Sequence, residues 1–420
     1  MLLTPGYDPA TRLLLSAPPP IPPIPDQPTR DDALVALGLL EDLLEEFPFV
    51  EDDGVSKAVA LSALITPVVR GAFPVTPAHV SRASIAGSGK SYLWDVAAAI
   101  GIGQLMPVIA AGSTDEETEK RLGSALIAGQ PLISIDNVNG ELGGDALCQA
   151  IERQLVQIRV LGQSKQIDIE ARGTSIFITG NNIVIVGDLG RRVITTLLDP
   201  RLERPELRKF KKRPVEMVLE DRGKYIAACL TICRAYVVAG RPDAVDPLAS
   251  FEEWSDTVRS ALIWLGKADP VLSMETTRAE DPERNKLLDM LAAWADTVGI
   301  GNAFRHTTKE VIKLAEKTES GFGNPSYPEL HDAVLVVAAK RRGPIGSGEI
   351  DAGAFGRWLR DNKGKIANQL RFANENTAGG KAFWWVEHLD GEKGAERYRA
   401  ERVERQKAQQ QDEDDEDVSF

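Results

Sequence analysis

The run Ser84-Ile85-Ala86-Gly87-Ser88-Gly89-Lys90-Ser91 puts a Gly-Ser-Gly turn, a lysine and a hydroxyl in the order needed to hold a polyphosphate. The free N–H groups of a glycine turn that opens a helix point at an anion, and the helix dipole adds to their pull. Gly87, Ser88 and Gly89 then form the cradle, Lys90 reaches the outer phosphates, and Ser91 holds Mg²⁺. Ser84 stands where the G-x-x-x-x-G-K-[ST] pattern has its first glycine. A glycine turn that does no more than cap a helix is the plainer reading.

Phosphate chemistry needs further partners, and the chain supplies them in order. The apolar run Leu132-Ile133-Ser134-Ile135 ends in Asp136-Asn137, the way a buried parallel strand delivers a carboxylate to its C-terminal edge. Asp136 would complete the Mg²⁺ site that Ser91 begins. Asn137 occupies the position where many ATPases carry a water-polarising glutamate, and an amide can orient water without accepting its proton. Glu116 and Glu117 offer carboxylates instead, or are simply negative charge at a helix N-terminus. A third strand, Ser175 to Thr179, runs into Gly180-Asn181-Asn182, which puts Asn181 and Asn182 in place to sense a terminal phosphate or the attacking water, unless they serve the turn alone. Arg191 and Arg192 follow, and arginine forks stabilise charge on a transferring phosphoryl group, often from a neighbouring subunit.

These residues require strand, glycine turn and helix in repetition, hence an α/β fold whose core is a parallel sheet. In order and near-spacing the set resembles an AAA+-type P-loop ATPase core, and more closely the superfamily 3 helicases, in the form of the helicase part of phage, prophage and poxvirus-like primase–helicase proteins. The resemblance covers roughly residues 40 to 270 and extends through a winged-helix tail to about 390. It implies ATP and Mg²⁺ as ligands and a homo-oligomer, a hexameric ring, that translocates on single-stranded DNA at a replication fork. It also implies that the β-hairpin expected over 157–170, with its tip at Gly162 to Lys165, projects into the ring channel. Lys165 is then the DNA-gripping residue and Arg159 the second contact; a plain exposed hairpin is the alternative. A non-unwinding AAA+ scaffold or loader is the rival reading, kept open by Ser84 and Asn137. A duplex-binding regulator is a third.

Size and charge bound the rest. A chain of 420 residues has room for more than one core. Cys148, Cys229 and Cys233 have no histidine near them in sequence and read as buried thiols in a reducing, cytoplasmic compartment. No membrane span and no leader is expected. The net charge of −13 is concentrated in part at Asp412 to Asp417, and the remainder is still acidic. An acidic exterior argues against coating duplex DNA while permitting a strand to be threaded through a basic channel.

Six segments are expected. Residues 1–30 form a Pro-rich linker or docking strip, and 31–75 a helical collar or intramolecular cap. Residues 76–270 form the ATPase core with a helical lid, whose Tyr225, Tyr236, Phe251 and Trp254 are read as packing residues. A helical connector covers 271–324. A winged-helix-like domain covers 325–390, its basic residues Arg357, Arg360, Lys363, Lys365 and Arg371 serving DNA or a protein partner. A charged acidic tail, 391–420, starts helical and turns disordered. The tail ends in Val418-Ser419-Phe420 and resembles the tip of bacterial single-strand DNA-binding proteins, so that it would dock host replication proteins or occupy the channel; a solubilising tail is the alternative. The cluster Arg201 to Arg213 is read either as a phosphate contact or as a solvated loop.

Overall fold

The computed structural model describes residues 5–10, 13–15, 18–112, 114–159, 165–318, 324–340, 349–377 and 380–417. The expected hairpin tip at Gly162 to Ser164 and the terminal Val418 to Phe420 lie outside them. The chain divides into two units, Met1–Asp281 and Pro282–Phe420.

The first unit opens with a short antiparallel ribbon, β1 (Gly6–Asp8) and β2 (Leu13–Leu15). The prolines that follow leave the backbone without secondary structure, because each removes a donor and fixes φ. This strip docks on its own unit. A Cβ added at Gly223 would meet the Pro20 carbonyl oxygen at 1.8 Å, Ile21 packs against the core, and Asp26 pairs with Arg234 at 2.9 Å.

Helices α1 (Arg30–Leu44) and α2 (Val55–Val69) come next. Thr29 caps α1 in a reciprocal box with Asp32, and Leu37, Leu40, Leu43 and Leu44 form its buried face. That face joins the same core cluster as the sheet, so the segment is a cap within the unit. Val55–Ala72 has the length and apolarity of a membrane span, yet 67% of it is buried in the fold.

The central sheet contains β3 (Ala78–Ala83), β4 (Val108–Ala110), β5 (Leu132–Leu142), β8 (Ser175–Ile185) and β9 (Val193–Leu198), all parallel, in the order β4-β5-β8-β3-β9. Helices α3 (Lys90–Ile102), α4 (Asp115–Ile127) and α5 (Asp145–Glu152) make the early crossovers. Parallel pairing demands such crossovers, and burial on both faces explains the continuous apolar runs in β5 and β8. This is the expected α/β architecture with a parallel sheet, and β3, the strand that leads into the glycine turn, lies inside it. Strands β6 (Leu155–Arg159) and β7 (Gln166–Glu170) form the expected antiparallel hairpin between β5 and β8. Trp94 on α3 donates through Nε1 to the Ile178 carbonyl at 3.0 Å, and its ring sits among His79 and Phe177, fixing α3 against β3 and β8.

After the sheet come α6 (Pro214–Glu220), α7 (Arg222–Val238), α8 (Glu252–Trp254), a π turn at Ser255–Arg259, α9 (Ser260–Trp264) and α10 (Ser273–Ala279). Tyr225, Tyr236, Phe251 and Trp254 are all buried in the core. Ser273 accepts from the Thr195 amide at 3.1 Å, so α10 belongs to this unit and not to a separate connector.

The second unit contains α11 (Pro282–Thr297), β10 (His306–Thr307), α12 (Thr308–Ala315), α13 (Pro328–Ala338), α14 (Ala352–Asp361), β11 (Ile366–Ala367), β12 (Leu370–Asn376), β13 (Ala382–His388) and α15 (Gly391–Asp417). Its sheet order is β10-β13-β12-β11, antiparallel throughout. The expected connector at 271–324 therefore divides at Asp281. The reason is packing: Leu287, Met290, Leu291 and Trp294 of α11 lie in one cluster with Phe372 and Val386, and the Trp294 and Phe372 rings meet edge-on at 5.3 Å. Helix α15 runs to Asp417. Its stretch up to Gln411 is rich in Glu, Arg, Lys, Gln and Ala, which are strong helix formers, and Ala395 and Tyr398 anchor its first turns in the core.

Candidate nucleotide-binding site

The turn between β3 and α3 takes its shape from two glycines in left-handed backbone, Gly87 at φ +76° and Gly89 at φ +93°. The helix starts at Lys90, so its unsatisfied N–H groups open onto the turn. Lys90 is only 9% exposed. Its Nζ donates to the Ile85 carbonyl at 3.2 Å and to Asn181 Oδ1 at 2.7 Å. Burial pushes the ammonium down from its ordinary value, and the Asp136 charge partly opposes that shift. A bound polyphosphate would restore the charge neutralisation that solvent is prevented from giving.

Asp136 and Asn181 sit midway along the neighbouring strands β5 and β8, level with the carboxyl ends of β4 and β3, where Ala110 pairs with Asp136 and Ala83 with Asn181. Ser91 Oγ donates to Asp136 Oδ1 at 3.0 Å, and Thr179 Oγ1 donates to the same oxygen. Thr179 also accepts the Asn137 amide at 3.2 Å. Between Ile135 and Val138 the β5–β8 register slips by one residue, a bulge that re-aims Asp136 and Asn137. Asn137 there is left-handed at φ +59°, as is Asn182 at φ +51°, a conformation asparagine tolerates. A hydroxyl and a carboxylate oxygen already within hydrogen-bonding distance suit Mg²⁺, which prefers oxygen ligands.

Asp95, one helical turn beyond Ser91, is a residue that sequence reasoning missed. Burial raises its carboxyl pKa and nearby Asp136 adds to this, while the Met106 amide donates to it at 3.0 Å. Its i+4 relation to Ser91 was the available signal.

Other expected residues sit apart from this centre. Glu116 pairs with Lys120 at 2.7 Å, and Glu117 pairs with Arg121 and bonds to the Thr114 cap, so both serve the first turn of α4. Arg192 is nearly buried and bound to Glu152 and Asp188, whereas Arg191 is about half exposed beside the same carboxylates. Arg159 and Lys165 are exposed on the hairpin. Several cations of the 201–213 segment are engaged: Arg201 with Glu51, Arg204 with Glu206, Lys212 with Asp42 and Glu45, and Arg213 with Glu216. The segment lies over the Gly87–Gly89 turn, where a Cβ on Gly87 would sit 3.3 Å from the Glu206 nitrogen.

Beside the loop is a cavity of about 260 Å³, bounded by Leu43, Phe47, Pro48, Tyr92, Phe210 and Pro214 and reaching Ser88 and Gly89. The Phe47 and Tyr92 rings stack with centroids 6.2 Å apart. Three layers of chain distant in sequence build it, which is why no motif announced it.

No family model matches the chain, and no curated protein sequence matches it. Among solved structures, the A-form apo structure of the NrS-1 C-terminal region is similar at 13% identity, over 82% of this chain and 77% of that one, with a TM-score of 0.37. The SCCmec type IV Cch active helicase is similar at 12% identity, over 84% and 70%, TM-score 0.33. The X-ray structure of JCV helicase is similar at 13%, over 62% and 71%, TM-score 0.24. Likenesses this distant carry nothing about chemistry, which rests on the residues above.

Proposed function

We propose that this chain is an ATP-driven DNA helicase or translocase that works in the cytoplasm as a ring, with sites completed at subunit interfaces. One observation carries the reading: Lys90, Ser91, Asp136, Thr179 and Asn181 are brought by α3, β5 and β8 to one edge of a parallel sheet and hydrogen-bonded to one another there. The crevice at the carboxyl ends of parallel strands is where such folds bind nucleotides.

Gly87, Ser88, Gly89 and Lys90 would take the phosphates, and Ser91 with Asp136 would hold Mg²⁺, which supplies charge neutralisation on the β- and γ-oxygens. Asn181 keeps Lys90 aimed, and Asn137 and Asn182 orient water. Arg191, with its half-exposed fork, reaches a neighbour's nucleotide, and Arg192 holds that segment in place through Glu152. The aromatic cavity receives the base. Lys165 and Arg159 contact single-stranded DNA, and the second unit, read as a winged helix, adds an accessory contact.

Asn137 favours a second reading, in which nucleotide is bound to assemble a replication complex and turned over slowly. Measuring ATP hydrolysis with and without single-stranded DNA, for the native chain and Lys90→Ala, separates the two. DNA-stimulated turnover lost in the variant supports the motor. Tight binding with negligible turnover supports the scaffold, and no Lys90-dependent binding at all removes both.

A further inference from the structure

We infer that the cavity beside the phosphate loop grips a purine by ring contact and shape without reading its hydrogen-bonding edge, so that the site takes adenine and guanine nucleotides alike. The inference rests on the nucleotide reading above. Ser88 and Gly89 line the same cavity, so a nucleotide whose phosphates lie on the loop has its base beside Phe47, Tyr92 and Phe210. These side chains and Pro48 and Pro214 offer flat apolar faces, and neither proline has an N–H to give.

Several of the polar atoms along the walls are already engaged. Glu46 Oε2 accepts the Lys211 and Lys212 amides at 2.9 and 2.8 Å. The Lys212 ammonium is held between Asp42 and Glu45, and Arg213 pairs with Glu216 at 3.0 Å. Tyr92 Oη accepts the Val215 amide at 3.4 Å, and the Pro48 carbonyl accepts the Asp199 amide at 2.8 Å. Adenine and guanine present the same ring faces and differ in edge groups. Strong discrimination between such pairs comes from sites built to hydrogen-bond one of them, and an apolar wall has little to withhold from the other.

The test is calorimetric titration of the full chain with Mg-ADP and with Mg-GDP, for the native protein, Glu46→Gln, Tyr92→Phe and Tyr92→Ala. The expected result is an ADP-to-GDP affinity ratio within about tenfold, unchanged by Glu46→Gln and Tyr92→Phe, with Tyr92→Ala weakening both ligands by a similar factor. A ratio beyond about tenfold in the native chain, or one that moves by that much in Glu46→Gln or Tyr92→Phe, overturns the inference while leaving nucleotide binding intact. Absence of binding by either nucleotide overturns it together with the reading on which it rests.

Discussion

Arg192 has 6% of its side chain exposed and reaches Glu152 through Nε at 2.7 Å, while Arg191 beside it keeps 43% of its side chain in solvent. Removing one partner of a buried pair strands the other charge, whereas an exposed pair contributes little. Glu152 would keep Arg191 and the Ser250 hydroxyl, so Arg192→Ala is expected to destabilise the fold by about 2 kcal/mol in urea denaturation. Arg191→Ala should stay within about 1 kcal/mol of native while losing ATP turnover. Equal losses of stability would remove the distinction. His79 gives a second prediction at this scale. It is fully buried, it contacts Ser62 Oγ through Nε2 at 3.0 Å, its Nδ1 has no hydrogen-bond partner among the described residues, and burial holds its pKa down at about 3. The unfolded chain takes up this proton near the ordinary value of 6.5, so His79 weakens the fold as pH falls from there towards 3 and has no effect above it. The expected slope is about 1.4 kcal/mol per pH unit within that window. His79→Phe should flatten the pH dependence of the urea midpoint between pH 6.5 and 4.5 by that component.

The strands bring the site together through a detail no periodicity shows. A Cβ at Gly180 would lie 2.0 Å from the Val138 carbonyl oxygen, so the bulge in β5 can nest against β8 only because Gly180 lacks a side chain. Gly180→Ala should part the two strands where Asp136 meets Thr179. The expected outcome is a loss of stability above about 2 kcal/mol and weaker Mg²⁺-dependent nucleotide binding. Unchanged denaturation and binding would mean the strands relax locally. The order strand, glycine turn, helix, then Asp136, then Asn181, was legible because each is a local pattern set by β-branched runs and glycine. The bulge, the aromatic cavity and the seating of the Pro-rich strip on α7 were not. Each depends on which distant segments pack together, as Phe47, Tyr92 and Phe210 do. Asp95 escaped for a related reason, since an acidic residue inside an apolar helix carries meaning only once Asp136 is known to stand beside it.

At the scale of the whole molecule, Arg191 stands just before β9, whose Val193 pairs with Ala78 at the opposite end of β3 from the glycine turn, and 43% of its side chain is exposed. In the proposed ring, one subunit's Arg191 would complete the next subunit's site, which a monomer would leave without it. The proposal is tested by mixing two inactive variants, Lys90→Ala and Arg191→Ala. If Arg191 acts across the interface, an Arg191→Ala subunit keeps an intact phosphate loop, and a Lys90→Ala neighbour supplies the missing arginine. Random mixing in equal amounts then makes about a quarter of the interfaces fully equipped, and ATP turnover should rise towards that fraction of native while each variant alone stays inactive. If Arg191 instead acts within its own subunit, every protomer in the mixture carries one fatal defect and no activity returns. Because Arg191→Ala is expected to fold as the native chain does, the absence of rescue would count against the shared site and not against the variant's integrity.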